Sequence, residues 1–164
     1  MGAEPRVAVF VDVQNVYYTT RQVFKRPFDY AAFWKEAGRG ARLVEASAYA
    51  IDRGDEKQRQ FQQILRGIGF EVKLKPFITR RDGSAKGDWD VGIALDVIEA
   101  AERVDRVVLV SGDGDFSILA ERARQRYGVE FEVYGVDALT SDALVRAASR
   151  FVAIGPALLL PGRN

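Results

Sequence analysis

Two short apolar runs organise the pattern of the chain. Residues 7–11 and 107–110 are apolar throughout and rich in β-branched side chains, which is typical of strands buried on both faces of a sheet. Residues 70–77 and 129–136 alternate between apolar and charged positions, which predicts edge strands with one face in water. Residues 43–51 complete a set of five predicted strands.

Helical patterns separate these strands, with apolar residues recurring at spacings of three and four. The predicted helices are 16–25, 29–37, 56–68, 88–103, 116–127 and 141–148. Strands that alternate with helices predict a parallel sheet with right-handed crossovers. We therefore expect an α/β protein, a three-layer α/β/α sandwich of Rossmann-like build. The two apolar strands are central, so a five-stranded sheet of order 3-2-1-4-5 is predicted.

The length of 164 residues is enough for one domain with a sizeable core. We assign residues 1–155 to a single domain and 156–164 to a C-terminal tail. The tail is apolar and packs either on this core or on a second copy, so a homodimer is one expected partner state. The sequence contains neither a membrane-length apolar run nor an N-terminal signal pattern. We therefore expect a cytoplasmic protein without a membrane partner.

Two missing residue types narrow the chemistry. The chain has no Cys and no His, which excludes disulfides, thiol nucleophiles, imidazole bases and metal sites built on those ligands. Hydrolytic chemistry would then depend on carboxylates, Lys, Tyr or a hard cation held by oxygen. The net charge of +1 is too small to indicate a nucleic-acid partner by itself.

Acidic residues follow both central strands. Asp12 comes directly after the first, and Asp113 and Asp115 follow the fourth in a Ser-Gly-Asp-Gly-Asp turn. Because parallel strands end at the same edge, these acids meet where the strand order reverses, which is where such sheets bind ligands. The alternative is that Asp115 caps the next helix while Asp113 is a solvated loop acid.

The predicted helix from residue 88 begins at the same edge. Its first turn carries Asp90, which can reach the acids above; the alternative is that Asp90 only complements the helix dipole. Asp96 lies six residues further on, about 9 Å along the axis, and is expected to be a supporting or structural group. Asp88 is expected to be a cap.

These acids form a predicted metal site. Its ligands are Asp12, Asp90, Asp113 and Asp115. Four carboxylates in one crevice repel each other unless cations compensate, and Mg²⁺ and Mn²⁺ prefer carboxylate and water ligands. One or two such ions would support in-line hydrolysis of a phosphodiester without His or Cys. Asn15 and Ser111 are placed to hydrogen-bond a phosphate oxygen or a ligand water, or else only cap their turns.

Basic residues gather near the same edge. Arg80, Arg81 and Lys86 lie in the loop between the third strand and the helix at residue 88, where they would contact phosphates without reading sequence. The alternative is an ordinary solvated surface. Tyr17 and Tyr18 offer rings for base stacking, but core packing is expected for them.

Three motifs in order resemble the NYN domain, especially its bacterial LabA-like branch. They are Asp12-x-x-Asn15, Lys86-Gly-Asp-Trp-Asp90 and Ser111-Gly-Asp-Gly-Asp115-Phe116. The resemblance spans residues 7–154 and implies a PIN-like fold and a ribonuclease dependent on Mg²⁺ or Mn²⁺. It also implies that the four acids are metal ligands supported by Asn15 and Ser111, with Asp96 as a secondary candidate.

Two functions from different classes follow. The first is a metal-dependent ribonuclease that acts on RNA, with DNA left open as substrate. The alternative is a nucleic-acid-binding regulatory module that retains the metal pocket and cleaves little. An aspartyl-phosphate phosphatase is disfavoured because no Asp-x-Asp pair follows the first strand, and the same turn lacks the glycine-rich patterns of nucleotide sites.

Overall fold

The computed structural model describes residues 3–76, 78–79, 85–86 and 88–162. Its strands are β1 (Arg6–Asp12), β2 (Arg42–Asp52), β3 (Glu71–Pro76), β4 (Ile78–Thr79), β5 (Ala85–Lys86), β6 (Arg106–Val110), β7 (Glu130–Gly135) and β8 (Arg150–Ala153). Six of them form a parallel sheet in the order β3-β2-β1-β6-β7-β8. The short strands β4 and β5 pair antiparallel between β3 and the following helix.

Helices cover both faces of this sheet. They are α1 (Val13–Phe24), α2 (Tyr30–Ala37), α3 (Glu56–Ile68), α4 (Asp90–Ala101), α5 (Ser117–Tyr127) and α6 (Asp142–Ala147). The first three contribute to one core cluster, and the last three contribute to the other. Because successive strand residues point to opposite faces, Val9 and Val11 join the first cluster while Ala8 and Phe10 join the second. The predicted α/β/α architecture with a parallel sheet is confirmed.

The prediction of five strands is wrong, because residues 150–153 form a sixth strand beside β7. The prediction that 129–136 is an edge strand is therefore also wrong. Its alternating charges suggested a wet face, yet Glu132 is only 7% exposed. Its carboxylate lies 3.5 Å from Arg106 on β6 and 3.8 Å from Arg150 on β8, so neighbouring strands supply the partners that water was expected to provide. The other predicted edge, β3, does end the sheet.

Helix α1 begins earlier than its weak helix formers suggested. The Asp12 carboxylate accepts the backbone N–H of Asn15 at 3.4 Å and caps the helix, which satisfies a donor left unpaired in the first turn. Val13 and Val16 are buried, whereas Tyr17 and Tyr18 are exposed. The expectation that these tyrosines pack in the core is therefore wrong.

The apolar tail packs on the core of its own chain. Leu158 and Leu159 are buried in the cluster beneath α2, and Leu159 forms an isolated bridge with Phe28. Arg26 donates to the carbonyl oxygens of Leu159 and Leu160 at 3.1 and 2.8 Å. None of the helices in the described part of the chain combines the length and apolar character that a membrane crossing needs.

Candidate metal centre

The site lies where the order of the sheet reverses. From β1 the chain builds outward through β2 and β3, and it then returns to β6 on the other side of β1. The two central strands pair from Val7 with Arg106 to Val11 with Val110, so they end side by side. Asp12 therefore adjoins the Ser111 turn at the carboxyl edge, as expected for a ligand site in an open α/β sheet.

Three carboxylates meet beside this edge. Asp90, Asp113 and Asp115 each place an oxygen within 4.8 Å of the oxygens of the other two. Asp90 is the first residue of α4, and the other two belong to the turn that leads into α5. Two helix starts and one strand end thus bring together residues that lie far apart along the chain.

Burial and the neighbouring acidic groups both act on Asp90. Burial, the charges of Asp113 and Asp88, and a hydrogen bond between the Asp90 and Asp113 carboxyl groups raise the pKa of Asp90 from 3.8 to about 7. Such a shift means that full ionisation of the group is unfavourable without a compensating cation. Added positive charge would relieve this cost.

Asp12 lies next to the three-carboxylate group. Burial raises the pKa of Asp12 from 3.8 to about 6, although hydrogen bonds from Asn15 and Ser111 oppose the rise. The charge of Asp113 raises it further. Asp12, Asp90 and Asp113 therefore interact electrostatically, and Asp115 lies within 4.8 Å of the last two.

Asn15 and Ser111 organise the turn that carries the acids. The Ser111 hydroxyl donates to Asp12 Oδ2 at 3.1 Å and accepts the backbone N–H of Asp113 at 3.2 Å. The side-chain oxygen of Asn15 accepts the N–H of Gly112 at 2.9 Å, and Asp113 Oδ1 accepts the N–H of Asp115 at 2.9 Å. These hydrogen bonds support the alternative that Asn15 and Ser111 hold turns. Contact of these residues with a phosphate oxygen or a ligand water stays a prediction.

The glycines of this turn make room for the segment behind it. A Cβ on Gly112 would lie 2.7 Å from the carbonyl oxygen of Leu139, and one on Gly114 would lie 2.6 Å from Ser141 Oγ. The carbonyl of Gly112 also accepts the N–H of Ser141 at 3.0 Å. The close approach of residues 139–141, rather than an unusual φ angle, thus explains the Gly-Asp-Gly spacing.

Asp96 lies in a separate network. Its Oδ2 accepts the Tyr49 hydroxyl at 2.6 Å and the Lys73 ammonium at 2.7 Å. Burial tends to raise its pKa, but the hydrogen bonds from Lys73 and Tyr49 hold the pKa of Asp96 below its usual value. The structure therefore places Asp96 in an ion pair between α4 and the outer strands and does not include it in the three-carboxylate group.

The reading of the sequence missed the contacts that fix the start of α4. Trp89 donates its indole N–H to the carbonyl oxygen of Ala50 on β2 at 2.9 Å. The Lys75 ammonium on β3 lies 4.6 Å from the centre of the Trp89 ring and donates to the Asp88 carbonyl oxygen at 3.0 Å. The sequence signal was present, since Trp89 immediately precedes Asp90, but nothing local identifies its partners.

The three predicted basic residues of this loop carry no described side chains. Arg80 and Arg81 lie outside the described residues, and of Lys86 only the backbone, in β5, is described. The predicted contribution of this loop to phosphate binding stays a prediction.

A three-layer α/β/α fold with clustered carboxylates at its switch point is the arrangement that the resemblance to the NYN domain implied. The NYN domain profile matches residues 6–155, and the chain belongs to the NYN domain family. The family predicted from the three motifs is thus confirmed. Membership supports a nuclease-like role in general terms.

The chain is also similar to one named protein and to one solved structure. It is 29% identical over 160 residues to the low amplitude and bright protein LabA of Synechococcus elongatus, a match that covers 90% of this chain and 82% of that protein. A crystal structure of a protein of unknown function from Vibrio parahaemolyticus superposes with a TM-score of 0.93 and 59% identity. That likeness covers 98% of this chain and all of the other.

Proposed function

We propose that the protein is a metal-dependent ribonuclease that hydrolyses RNA phosphodiester bonds at its aspartate cluster. The observation that carries this proposal is the convergence of Asp90, Asp113 and Asp115 within 4.8 Å, beside the partly buried carboxyl group of Asp12. Membership of the NYN domain family supports the same function.

The donor set fits a hard divalent cation. The three clustered groups are carboxylates, which are the ligands that Mg²⁺ and Mn²⁺ prefer, and the pKa of Asp90 is raised to about 7 by burial and then by its acidic neighbours. When bound there, such a cation would polarise the phosphate and supply a nucleophile from water at neutral pH. Asp90, Asp113 and Asp115 would hold it, with Asp12 completing the set.

The remaining residues orient the reacting groups. Ser111 and Asn15 hold the acid-bearing turn through the hydrogen bonds described above. Burial raises the pKa of Asp12 to about 6 in the metal-free protein, and a bound cation would lower it again and favour the ionised form that acts as a ligand. This chemistry needs no histidine, which the chain lacks.

The proposed contacts with RNA include the loop that carries Arg80, Arg81 and Lys86. Replacing both Arg80 and Arg81 with alanine should weaken RNA binding and flatten its salt dependence. Binding then neutralises fewer phosphates and so releases fewer counterions. Affinity measured at several salt concentrations tests this expectation. An unchanged slope would remove the loop from the proposed interface.

The decisive experiment is cleavage of labelled single-stranded RNA, hairpin RNA and DNA with Mg²⁺, Mn²⁺ or EDTA. Asp113→Asn should lower the rate by at least about 100-fold, since the charge stabilisation supplied by a bound metal is worth several kcal/mol. Asp105→Asn is the matched control, because Asp105 precedes β6 at the opposite edge of the sheet and pairs with Arg6. It should cleave like the unmodified protein.

Each outcome separates the candidates. Cleavage that persists in EDTA or in Asp113→Asn would overturn the proposal. Metal-dependent retention of RNA without cleavage would instead support the regulatory binding module. Circular dichroism of both variants must show an intact fold.

A further inference from the structure

Tyr17 and Tyr18 form an aromatic pair that the core does not use. Their side chains are 52% and 50% exposed, and they are the exposed aromatic residues among those whose side chains the structure describes. Tyrosine is also a weaker helix former than the straight-chain residues usual on a helix surface. Neither burial nor helix propensity therefore accounts for two adjacent tyrosines here.

The pair is held in place by its neighbours. The two ring centres are 5.4 Å apart with an interplanar angle of 74°. Arg21 donates from Nη1 to the Tyr17 hydroxyl at 2.9 Å, and its guanidinium lies 5.8 Å from the centre of that ring. Rings restrained in this way lose less conformational freedom when a ligand binds.

Helix α1 carries Tyr18 near the turn that holds Asp113 and Asp115. Helix α1 starts at the Asp12 cap, and Asn15 in its first turn accepts the N–H of Gly112 in the acid-bearing turn. Tyr18 is three residues after Asn15, about 4.5 Å along the axis and on the neighbouring part of the same surface. A strand whose phosphate reached the cluster would therefore pass its adjacent bases near these rings.

The local charge favours a polyanion. Residues 13–28 contain Arg21, Lys25 and Arg26 and no acidic residue, and the first two are exposed. Exposed rings combined with cations match a ligand that has flat π faces along an anionic backbone, as in single-stranded nucleic acids. A duplex hides its base faces by pairing and stacking, so unpaired bases fit this surface better.

We propose that Tyr17, Tyr18 and Arg21 form a stacking platform for unpaired bases of a single-stranded nucleic acid whose backbone continues into the aspartate cluster. The inference rests on the proposed nuclease function for the path of the strand. Stacking on the platform itself requires no cleavage.

The test measures binding in EDTA on an Asp113→Asn background, so that neither turnover nor metal affects it. The probe is a short single strand of uridines carrying one 2-aminopurine, whose fluorescence is quenched when the base stacks. Tyr17→Leu and Tyr18→Leu should each weaken binding about 5- to 150-fold and remove the quenching. Tyr18→Phe should retain both, and Ile64→Ala is the control because Ile64 is an exposed apolar residue on α3.

A matched strand with abasic sites identifies the interaction. The leucine variants should bind it as the parent does, because no base is left to stack. Equal weakening for normal and abasic strands would overturn stacking, and unchanged affinity for the normal strand would overturn the platform and favour a protein-contact surface. Because this assay excludes metal and turnover, an inactive enzyme that still shows quenching would refute the nuclease proposal alone.

Discussion

Replacing Asp12 with asparagine should stabilise the metal-free protein at neutral pH while impairing its proposed activity. Asp12 has a pKa of about 6 in the folded chain because burial disfavours its charged form, against an ordinary value of 3.8. Between these two values the folded state binds more protons than the unfolded state. The free energy of unfolding therefore falls as the pH rises through this range and stays reduced above it.

The magnitude follows from the two pKa values. They differ by about 2, and each unit corresponds to about 1.36 kcal/mol, so ionised Asp12 costs the folded state about 3 kcal/mol. Asparagine at this position carries no charge and remains a good helix cap. The stability difference between Asp12→Asn and the unmodified protein should be near zero at pH 4 and about 3 kcal/mol at pH 7, or roughly 6–12 °C in Tm.

Urea and thermal unfolding followed by circular dichroism in EDTA, from pH 4 to 8, measure this difference. Asp105→Asn should change stability in the opposite direction, because hydrogen bonds from the backbone and guanidinium of Arg6 lower the pKa of Asp105. Its stabilising effect is therefore present above the ordinary pKa and lost as the pH falls. Parallel curves for Asp12→Asn and the unmodified protein would refute the assignment of a buried, unfavourable charge to Asp12. Adding Mg²⁺ or Mn²⁺ should stabilise the unmodified protein more than Asp12→Asn.

Two further substitutions test contacts that hold the segments of the site in place, and a third serves as a control. Trp89→Phe removes the indole hydrogen bond between α4 and β2 and should weaken Mn²⁺ binding roughly 10-fold, by analogy with other groups that orient metal ligands; calorimetry that shows equal affinity would contradict this. Gly112→Ala should lower stability by about 1–3 kcal/mol in thermal unfolding, because the new Cβ would lie 2.7 Å from the Leu139 carbonyl oxygen. Among the described residues, a Cβ on Gly67 would meet no atom within 4 Å. Gly67→Ala should therefore raise stability by about 0.5–1 kcal/mol, so equal effects of the two alanines would refute the steric argument.

The sequence by itself determined the layers and the common edge. Apolar runs such as 7–11 require burial on both faces, and helical periodicity between them leads to a parallel sheet. Since parallel strands end at one edge, Asp12 and Asp113 had to approach each other once these two strands were identified as neighbours. Local pattern and topology rules were sufficient for this part.

Which strands lie at the edges of the sheet, and which side chains pair with each other, depended on tertiary contacts. Glu132 follows the same alternation as a solvated residue, and only its ion pairs with Arg106 and Arg150 reveal an interior strand. Tyr17 is equally ambiguous, since its apolar ring and polar hydroxyl suit either core or surface. Partner choice is a long-range property that spacing along the chain does not contain.

The same limit applies inside the candidate site. Asp90 and Asp96 both lie on α4, yet one meets Asp113 while the other pairs with Lys73 and Tyr49. Helix geometry separated the two acids, but only the packing of α4 against β2 and β3 decided which cation or carboxylate each would meet. The sequence thus determined which acids reach the edge, and the tertiary structure decided their electrostatic roles because charge interactions depend on distances between distant segments.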